Sequence, residues 1–582
     1  MRVHPRAHRG VRALTPSVVL GRAGDDIVAV ARDADAIAEG DAERIARAGD
    51  DAALARWVAA REEADAPRWV WSDTAEWYPR LLAEGVRVAR CDDLRLRHRI
   101  LHHAVTPDAS AHPWDAAPAE SEVATQPALF DVEPTRVAGE SMHDLAATVA
   151  EAHAQHGLLA RAEDPSRMRL LLAAESAGAL VAAEMRAAGL PWDVRRHDAI
   201  LTEALGPRRG GGLPARMEET AARVREALGD PRASLDSPSR LLRALRNAGV
   251  HVDSTSKWEL AEHDHPVVAP LLEYKSMARL LTANGWSWLD EWVHDGRFRP
   301  VYVPGGVVTG RWASSGGGAL QIPRALRGAV RADAGWRIVS AAVAQLEPRV
   351  LAGMARDERM ARAAAGADLY EGIVASGAVA TRAEAKIAVL GAMYGATTGD
   401  AGRLVPRLRK VFPAAMALVD AAARTGEDGG VVRTWLGRTS PAPDPAWVQQ
   451  QARASGSDAS AADETRARRA ARDRGRFTRN FVVQGTAAEW SLAWLADLRL
   501  RLAALGAVGA DRSASASGPV FSRRPHLAFF LHDEVLVHAP ADLADDVAAA
   551  IRSAADAAGR LLFGTFPIDF PLDVRIDESA AK

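Results

Sequence analysis

The chain has 582 residues, which is enough for several domains and a sizeable core. Its single cysteine, Cys91, excludes an intramolecular disulfide and a cysteine zinc cluster and favours a reducing, cytoplasmic setting. The formal charge of −2 neither requires nor forbids nucleic acid. No apolar run is long enough for a signal-peptide core or a membrane span, so we expect no membrane partner.

Short apolar strands alternate with helical stretches in the first 113 residues. The segments DIVAVA (26–31) and RWVWS (68–72) are typical of strands, and EWYPRLLAEG (76–85) is typical of a helix. From residue 107 the chain loses this periodicity and gains Pro, Ala and Ser, as linkers do. We therefore expect a small α/β unit followed by a linker.

The pattern becomes mainly helical beyond residue 166. An apolar-periodic helix is predicted over 168–190, and another begins at Pro238 with Asp236 or Ser237 as its cap.

The centre of the remaining chain is rich in β-branched residues. Strands are predicted within 299–348 and again at 527–538, on either side of a helical block. The polar stretch 454–475 interrupts that block and is predicted to be a mobile loop. A β-rich centre split by a helical insertion predicts an α+β fold.

One helix carries a stripe of four side chains. In TRAEAKIAVLGAMYGATTG (381–399), Arg382, Lys386, Leu390 and Tyr394 lie four residues apart and share one slowly turning face. The stripe passes from cationic to apolar to aromatic, the order of triphosphate, sugar and base in a nucleotide. Lys386 is one of only five lysines in the chain. An amphipathic helix with ordinary surface cations is the alternative.

This helix resembles the nucleotide-binding helix of family A DNA polymerases, the bacterial DNA polymerase I type, which reads R-x3-K-x3-F/Y-x3-Y-G. The one departure is Leu390, where the family has an aromatic residue. Four further stretches resemble family motifs in the right order: TGRWASSGGGALQIP (309–323), VAQLEPRVLA (343–352), RFTRNFVVQGTAAEW (476–490) and LHDEV (531–535). The resemblance covers roughly 166–582. Within the family, the chain is similar to the actinobacterial exonuclease/polymerase-like branch.

The resemblance implies roles for individual residues. It implies contacts to the incoming nucleotide from Arg382, Lys386, Leu390, Tyr394, Gln345 and Glu347. Glu347 would pack under the sugar and exclude a 2′-hydroxyl. It implies contacts to primer and template from Arg311, Arg476, Asn480 and Gln484. The implied catalytic residues are Asp533, Glu534 and His532, and the implied metal ligands are Asp533, Glu534 and the backbone carbonyl of Val343.

The family pattern has one acid that this chain lacks. Polymerases of this kind use two Mg²⁺ ions, for which Mn²⁺ can substitute, and hold them with carboxylates from two strands. Alignment on Gln345, Glu347 and Arg349 places Ala342 at the position of the family's first palm aspartate. Natural degeneration and deliberate replacement both explain this alanine.

No neighbouring acid takes its place in the sequence. Asp333 lies nine residues before Ala342 and Asp357 fifteen after it, too far along the chain to reach the same point.

The N-terminal unit lacks the acids of an active exonuclease. In the family that domain has D-x-E on its first strand, but DIVAVARDADAI (26–37) has acids only at its edges. Asp131 and Glu133 have the D-x-E spacing, yet they fall in the linker, where chance explains them better. We expect a degenerate exonuclease-like domain without proofreading activity.

The predicted architecture is a right-hand polymerase preceded by that degenerate exonuclease-like α/β domain. The predicted boundaries are 1–137 for the exonuclease-like domain, 138–165 for the linker and 166–582 for the polymerase, with thumb about 196–298, palm about 299–356 and 485–582, and fingers about 357–484.

The predicted function is template-directed DNA synthesis, impaired by Ala342, and the alternative is a non-catalytic primer-template binding protein. The expected partners are primer-template DNA and dNTPs. The protein is expected to be a monomer in the cytoplasm, associated with the nucleoid.

Overall fold

The computed structural model describes residues 17–32, 42–105, 114, 141–318, 322–366, 368–396 and 399–581. Asp131 and Glu133 of the D-x-E spacing lie outside these ranges. The chain divides into two compact units. The first comprises Met1–Ala188, Val301–Gly316 and Val339–Ile576, and the second comprises Gly189–Pro300, Gly317–Ile338 and Asp577–Lys582.

The N-terminal part of the first unit is an α/β fold, as predicted. Its strands are β1 (Ser17–Ala23), β2 (Asp26–Arg32), β3 (Glu43–Arg47), β4 (Arg68–Trp71) and β5 (Arg90–Asp93), in the order β3-β2-β1-β4-β5. The helices are α1 (Asp51–Ala64), α2 (Thr74–Ala83) and α3 (Leu94–Val105). Strands β1, β4 and β5 are parallel, and Trp69, Trp71 and Trp77 fill the core beside them.

Helix α4 (Leu145–Ala160) lies inside the predicted linker 138–165, and α5 (Pro165–Ala188) follows it. Helix α4 is held in place by buried polar contacts: its Glu151 accepts a hydrogen bond from the His98 ring at 2.7 Å, and Gln155 donates to the Leu94 carbonyl at 2.7 Å. This part of the predicted linker is therefore a packed helix.

The second unit is helical with a small sheet. Its helices are α6 (Val194–Leu205), α7 (Ala215–Leu228), α8 (Pro238–Asn247), α9 (Lys257–Leu260), α10 (Val268–Asn284) and α11 (Trp286–Trp292), and its strands β6 (Leu190–Pro191), β7 (Val293–His294) and β8 (Arg297–Phe298) pair in the order β6-β8-β7. Ser237 precedes Pro238 as the cap of α8, one of the two predicted caps. The predicted thumb, 196–298, falls within this unit.

A four-stranded sheet belongs mainly to the first unit. Its strands are β11 (Trp336–Val343), β12 (His526–Leu531), β13 (Glu534–Pro540) and β14 (Leu572–Asp577), in the order β12-β13-β11-β14. Strands β9 (Val301–Val303) and β10 (Ala313–Gly316) form a separate antiparallel pair.

Helices occupy most of the chain between β11 and β14. They are α12 (Leu346–Ala355), α13 (Glu358–Ala363), α14 (Leu369–Ala375), α15 (Arg382–Tyr394), α16 (Gly399–Val411), α17 (Pro413–Glu427), α18 (Pro445–Ala454), α19 (Ala461–Ala504), α20 (Gly518–Phe521) and α21 (Ala544–Phe563). Strands and helices are mixed as the sequence predicts, so the α+β fold class is confirmed.

The prediction of a mobile loop at 454–475 is wrong, because α19 begins at Ala461 and runs for 44 residues. Ser460 and Asp463 form a capping box that satisfies the first free N–H groups of the helix. Arg468 and Glu464, one turn apart, form an ion pair that supports the exposed helix. The polar composition of this segment therefore marks a solvent-exposed helix.

None of the helices in the described ranges combines the length and apolar character needed to cross a membrane.

Candidate active site

The LHDEV motif (531–535) lies in a hairpin formed by β12 and β13. Leu531 pairs with Glu534 across the hairpin, so His532 and Asp533 form its two-residue turn. His532 has a φ of +53°, in the left-handed region that tight turns require. Its carbonyl accepts a hydrogen bond from the Ser491 hydroxyl of α19 at 3.0 Å. This geometry places Asp533 at the tip and Glu534, 5% exposed, at the start of β13.

The end of β11 lies beside this tip. The Val343 N–H donates to the Asp533 carbonyl at 2.8 Å, and β11 is the neighbour of β13 in the sheet. Ala342 is half-buried, between the buried Ala341 and Val343. The residue hydrogen-bonded to the acidic tip is therefore Val343, and the residue before it on this strand is an alanine, which has no carboxylate.

The two flanking acids are engaged elsewhere. Asp357 is 4% exposed, caps α13 and accepts a hydrogen bond from the Ala415 N–H at 3.0 Å. Asp333 forms an ion pair with Arg297. Within the described ranges, no three or more His, Cys, Asp or Glu side chains form a group that could hold a metal ion.

Glu347 sits between two predicted site residues. It forms an ion pair with Arg311, and its second carboxylate oxygen accepts the Tyr394 hydroxyl at 2.9 Å. These contacts connect the 309–323 motif, α12 and the end of α15. They bring together three residues that lie far apart in sequence.

These side chains line a groove with a volume of about 290 Å³. The predicted site residues that line it are Arg311, Gln345, Glu347, Leu390, Tyr394, His532 and Asp533. Tyr370 from α14 and Ser491 from α19 also contribute to its wall. Arg382, Lys386, Arg476, Asn480, Gln484 and Glu534 do not line it.

The environment of the groove shifts the pKa of three groups. Burial raises the pKa of the Asp533 carboxyl, and Glu534 raises it further, although the residue as a whole stays exposed. Burial lowers the pKa of His532, with the positive charge of Arg311 acting in the same direction. Burial and the Glu347 carboxylate raise the pKa of Tyr394 to about 12. His532 and Tyr394 are therefore both neutral at pH 7.

Helix α15 contains all four residues of the predicted stripe. The Thr381 side chain caps it, and Gly395 ends it with a φ of +71°, a conformation that favours glycine. Arg382 pairs with Asp368 at 2.7 Å, whereas Lys386 is exposed and has no ion-pair partner among the residues that the structure describes. The apolar and aromatic end of the stripe reaches the groove, and the cationic end lies outside it.

Three of the four residues predicted to contact primer and template lie on α19. Arg476 is exposed, forms an ion pair with Asp473 and lies against Gly395, where an added Cβ would approach its Cγ to 2.8 Å. Asn480 and Gln484 follow at successive steps of four and are half-buried. Further along the same helix, Ser491 lines the groove.

Arg349 has a structural role that sequence reasoning missed. Its guanidinium is fully buried and donates to the backbone carbonyls of Ala344, Ala364, Gly366 and Asp569 at 2.6–3.0 Å. Burial lowers its pKa to about 10. An arginine between Pro348 and the apolar run 350–352 is the signal that could have identified it.

Gln345 is held by contacts of its own. Its φ is +49°, and its amide oxygen accepts the Leu369 N–H at 3.3 Å and lies 3.5 Å from Arg349. These contacts fix the chain between β11 and α12, beside the Asp533 tip.

The donor set does not fit a pair of magnesium ions. Such a pair needs carboxylate oxygens from two strands, because Mg²⁺ demands near-octahedral oxygen coordination. The hairpin supplies Asp533 and the largely buried Glu534, while β11 supplies only the Ala342 methyl and the Val343 carbonyl.

Sequence reasoning also missed a buried acid. Glu489 on α19 is 0% exposed and accepts hydrogen bonds from the Thr434 hydroxyl and from the Leu436 N–H, the latter at 2.9 Å. Burial raises its pKa to about 7.

This raised pKa predicts a specific pH dependence. The folded chain binds a proton that the unfolded chain releases above pH 4.5, so the free energy of unfolding falls as pH rises from 4.5 to 7. The loss is on the order of 2–3 kcal/mol. We expect Glu489→Gln to abolish that part of the dependence in chemical denaturation at pH 5 and pH 8. The exposed Glu262→Gln is the control, and equal pH dependence in both variants would contradict the prediction.

A solved structure shows the class of fold. The chain matches the POL domain of Pol1 from M. smegmatis, determined in complex with DNA primer-template and dNTP, with a TM-score of 0.68 and 19% sequence identity. The match covers 98% of this chain and 96% of that one. The fold is therefore that of a polymerase domain.

Sequence comparisons show the family. The profile of DNA polymerase family A matches residues 212–580, more than half of the chain, and leaves the N-terminal α/β part outside. The thermostable DNA polymerase I of Thermus filiformis is 26% identical over 439 residues, which are 68% of this chain and 46% of that protein. DNA polymerase I of Chloroflexus aurantiacus is 27% identical over 375 residues, 60% and 36% of the two chains. The chain belongs to DNA polymerase family A, and the matched part is less than half the length of these relatives.

Proposed function

We propose that the chain binds primer-template DNA and dNTPs as a DNA-directed DNA polymerase does, and that it joins nucleotide to primer only slowly. The observation that carries this proposal is Ala342 at the end of β11, the strand whose next residue, Val343, is hydrogen-bonded to the Asp533 tip. Asp533 lines a groove together with four of the six predicted nucleotide-site residues, Gln345, Glu347, Leu390 and Tyr394. The reaction is attack of a primer 3′-hydroxyl on the α-phosphorus of the dNTP, with pyrophosphate as leaving group.

Binding is supported by residues that do not depend on position 342. Tyr394 and Leu390 offer aromatic and apolar surface in the groove, and Lys386 offers an exposed cation on the same helix for the triphosphate. Arg311, Arg476, Asn480 and Gln484 are proposed to contact primer and template. The neighbour from M. smegmatis, which shares the fold, holds both ligands in its structure.

Slow transfer is supported by the incomplete set of acids. We propose that Mg²⁺, or Mn²⁺ in its place, binds more weakly than two strands bearing carboxylates would allow. A non-catalytic primer-template binding protein is the second candidate, and the same alanine favours it. The rate of nucleotide incorporation separates the two.

We also propose that the exonuclease-like, thumb, palm and fingers parts have their predicted boundaries. We propose that the protein has no exonuclease activity, is a monomer and is located in the cytoplasm with the nucleoid.

Nucleotide binding is tested at Lys386. We expect Lys386→Ala to weaken dNTP binding to a complex with dideoxy-terminated primer-template by about 1.5–3 kcal/mol, roughly tenfold to a hundredfold, because a charge-assisted contact to phosphate is lost. Lys410, an exposed lysine on α16, gives the matched control Lys410→Ala. Fluorescence titration with the complementary dNTP measures the affinity. Equal affinities in the two variants would remove Lys386 from the proposed site.

A further inference from the structure

A loop of the polymerase part is contacted by a residue of the N-terminal α/β part. The loop, residues 304–311, lies between β9 and β10 and ends at Arg311, whose side chain lines the groove. Arg99 of α3 donates from its guanidinium to the Gly305 carbonyl of this loop. The two residues are 206 positions apart in the chain. This contact therefore connects the N-terminal α/β part directly to the loop that leads to Arg311.

A buried ion pair contacts the same loop. Arg438 donates to the Glu175 carboxylate at 2.7 Å, and the two residues are 6% and 1% exposed. A Cβ atom at Gly305 would overlap the Glu175 carboxylate and would lie 3.1 Å from Nη2 of Arg99. A Cβ atom at Gly310 would lie 2.6 Å from Nε of Arg438. Glycine at these two positions therefore lets both ends of the loop lie directly against charged groups.

The two valines of the loop contribute little apolar burial. Val307 and Val308 are 38% and 44% exposed. Within the loop, the Val307 N–H donates to the Arg311 carbonyl at 3.1 Å, and the Gly310 N–H donates to the Val307 carbonyl at 2.8 Å. These bonds couple the backbone of Arg311 to the conformation of the loop. A loop with few buried apolar contacts opens easily unless polar contacts hold it, so the charged groups at its two ends matter for its position.

The Arg311 side chain extends from this loop into the groove, where it forms an ion pair with Glu347. We infer that Arg99 is a positioning residue: by binding the Gly305 carbonyl it fixes loop 304–311 and thereby the direction from which Arg311 reaches the primer. The N-terminal α/β part then supports DNA binding by a route that requires no exonuclease activity. The contact between Arg311 and primer rests on the proposed function, whereas the hold on the loop does not.

Hydrogen exchange of the full chain, followed by mass spectrometry, tests the hold on the loop. We expect Arg99→Ala to raise amide exchange in segment 303–312 by about tenfold, because a charge-assisted hydrogen bond to the loop is lost. Arg99→Lys keeps a cation that can donate to the Gly305 carbonyl and should retain most of the protection. Arg97 on the same helix pairs with Asp92 of β5, so Arg97→Ala is the matched control and should leave the segment unchanged.

Primer-template binding tests whether Arg99 acts through Arg311. We expect Arg99→Ala to weaken binding of a primer-template duplex by about threefold to tenfold in the native chain. In an Arg311→Ala background the same change should weaken binding by less than about twofold, because residues that act through one another are not additive. A general loss of stability would instead weaken binding equally in both backgrounds. Arg97→Ala should leave the affinity unchanged in both.

Unchanged exchange of the loop in Arg99→Ala, or the same increase in Arg97→Ala, would overturn the inference. Equal losses of affinity with and without Arg311 would also overturn it, and either result would leave the proposed function intact. Failure of the native chain to bind primer-template at low salt would instead refute the proposed function. The exchange measurement would still decide whether Arg99 holds the loop.

Discussion

Replacing Ala342 by aspartate is expected to raise the rate of magnesium-dependent primer extension by about 10³–10⁵-fold, equivalent to 4–7 kcal/mol of transition-state stabilisation. The Val343–Asp533 hydrogen bond holds the end of β11 at the acidic tip, one residue after position 342, so we expect a carboxylate at position 342 to complete a pair of acids from two strands. Single-turnover extension with a saturating dNTP measures the rate for both chains. Primer-template affinity is expected to change much less than the rate.

Ser340→Asp is the matched control for this variant. Ser340 is half-buried on the same face of β11 but lies two residues, about 7 Å, further from the tip. The Ser340→Asp variant therefore adds the same charge to the same strand, but too far from Asp533 to complete the pair of acids. A large gain from Ser340→Asp, or none from Ala342→Asp, would show that the missing carboxylate is not what limits transfer.

Replacing Glu184 by alanine is expected to lower the free energy of unfolding by about 3–5 kcal/mol, because it leaves a buried positive charge without its partner. Glu184 on α5 accepts from Arg499 of α19 at 2.6 Å, from Arg87 at 2.8 Å and from the Tyr78 hydroxyl at 2.6 Å. Glu184 and Arg499 are 6% and 2% exposed. This cluster connects the N-terminal α/β part to two helices of the polymerase part.

The pH dependence of this effect has a defined sign. Burial would raise the pKa of Glu184, but the charges of Arg499 and Arg87 outweigh it and lower the pKa to about 2. The stabilisation is therefore fully present above pH 4.5 and is lost as pH falls toward 2. Denaturation with urea, followed by tryptophan fluorescence at pH 7, measures the loss. Glu262→Ala at an exposed position is the control, and a similar effect in both variants would contradict the role of the cluster.

The elements predicted correctly are those encoded by local patterns. Helix α15 has a four-residue stripe, a capping threonine and a terminal glycine, and the hairpin has two β-branched or aromatic runs around a short turn. Patterns of this length are independent of the rest of the fold. Ala342 was matched to the missing aspartate by aligning the residues that follow it with the family motif.

The features missed depend on contacts between distant segments. Arg349 donates to carbonyls up to 220 residues away, and Glu489 accepts a hydrogen bond from Thr434, 55 residues earlier in the chain. The Glu347 ion pair with Arg311 spans 36 residues. Composition alone made 454–475 resemble a loop, because a capping box and i,i+4 pairs stabilise a polar helix without an apolar face.

In the proposed function, one missing carboxylate leaves substrate binding intact and slows nucleotide transfer. The rate of single-nucleotide incorporation by the unaltered chain in Mg²⁺, measured when primer-template and dNTP binding are both saturated, tests this separation. We expect a stable ternary complex that incorporates the nucleotide orders of magnitude more slowly than the Ala342→Asp variant. Rapid incorporation by the unaltered chain, at the rate of the variant, would refute the proposed function of Ala342.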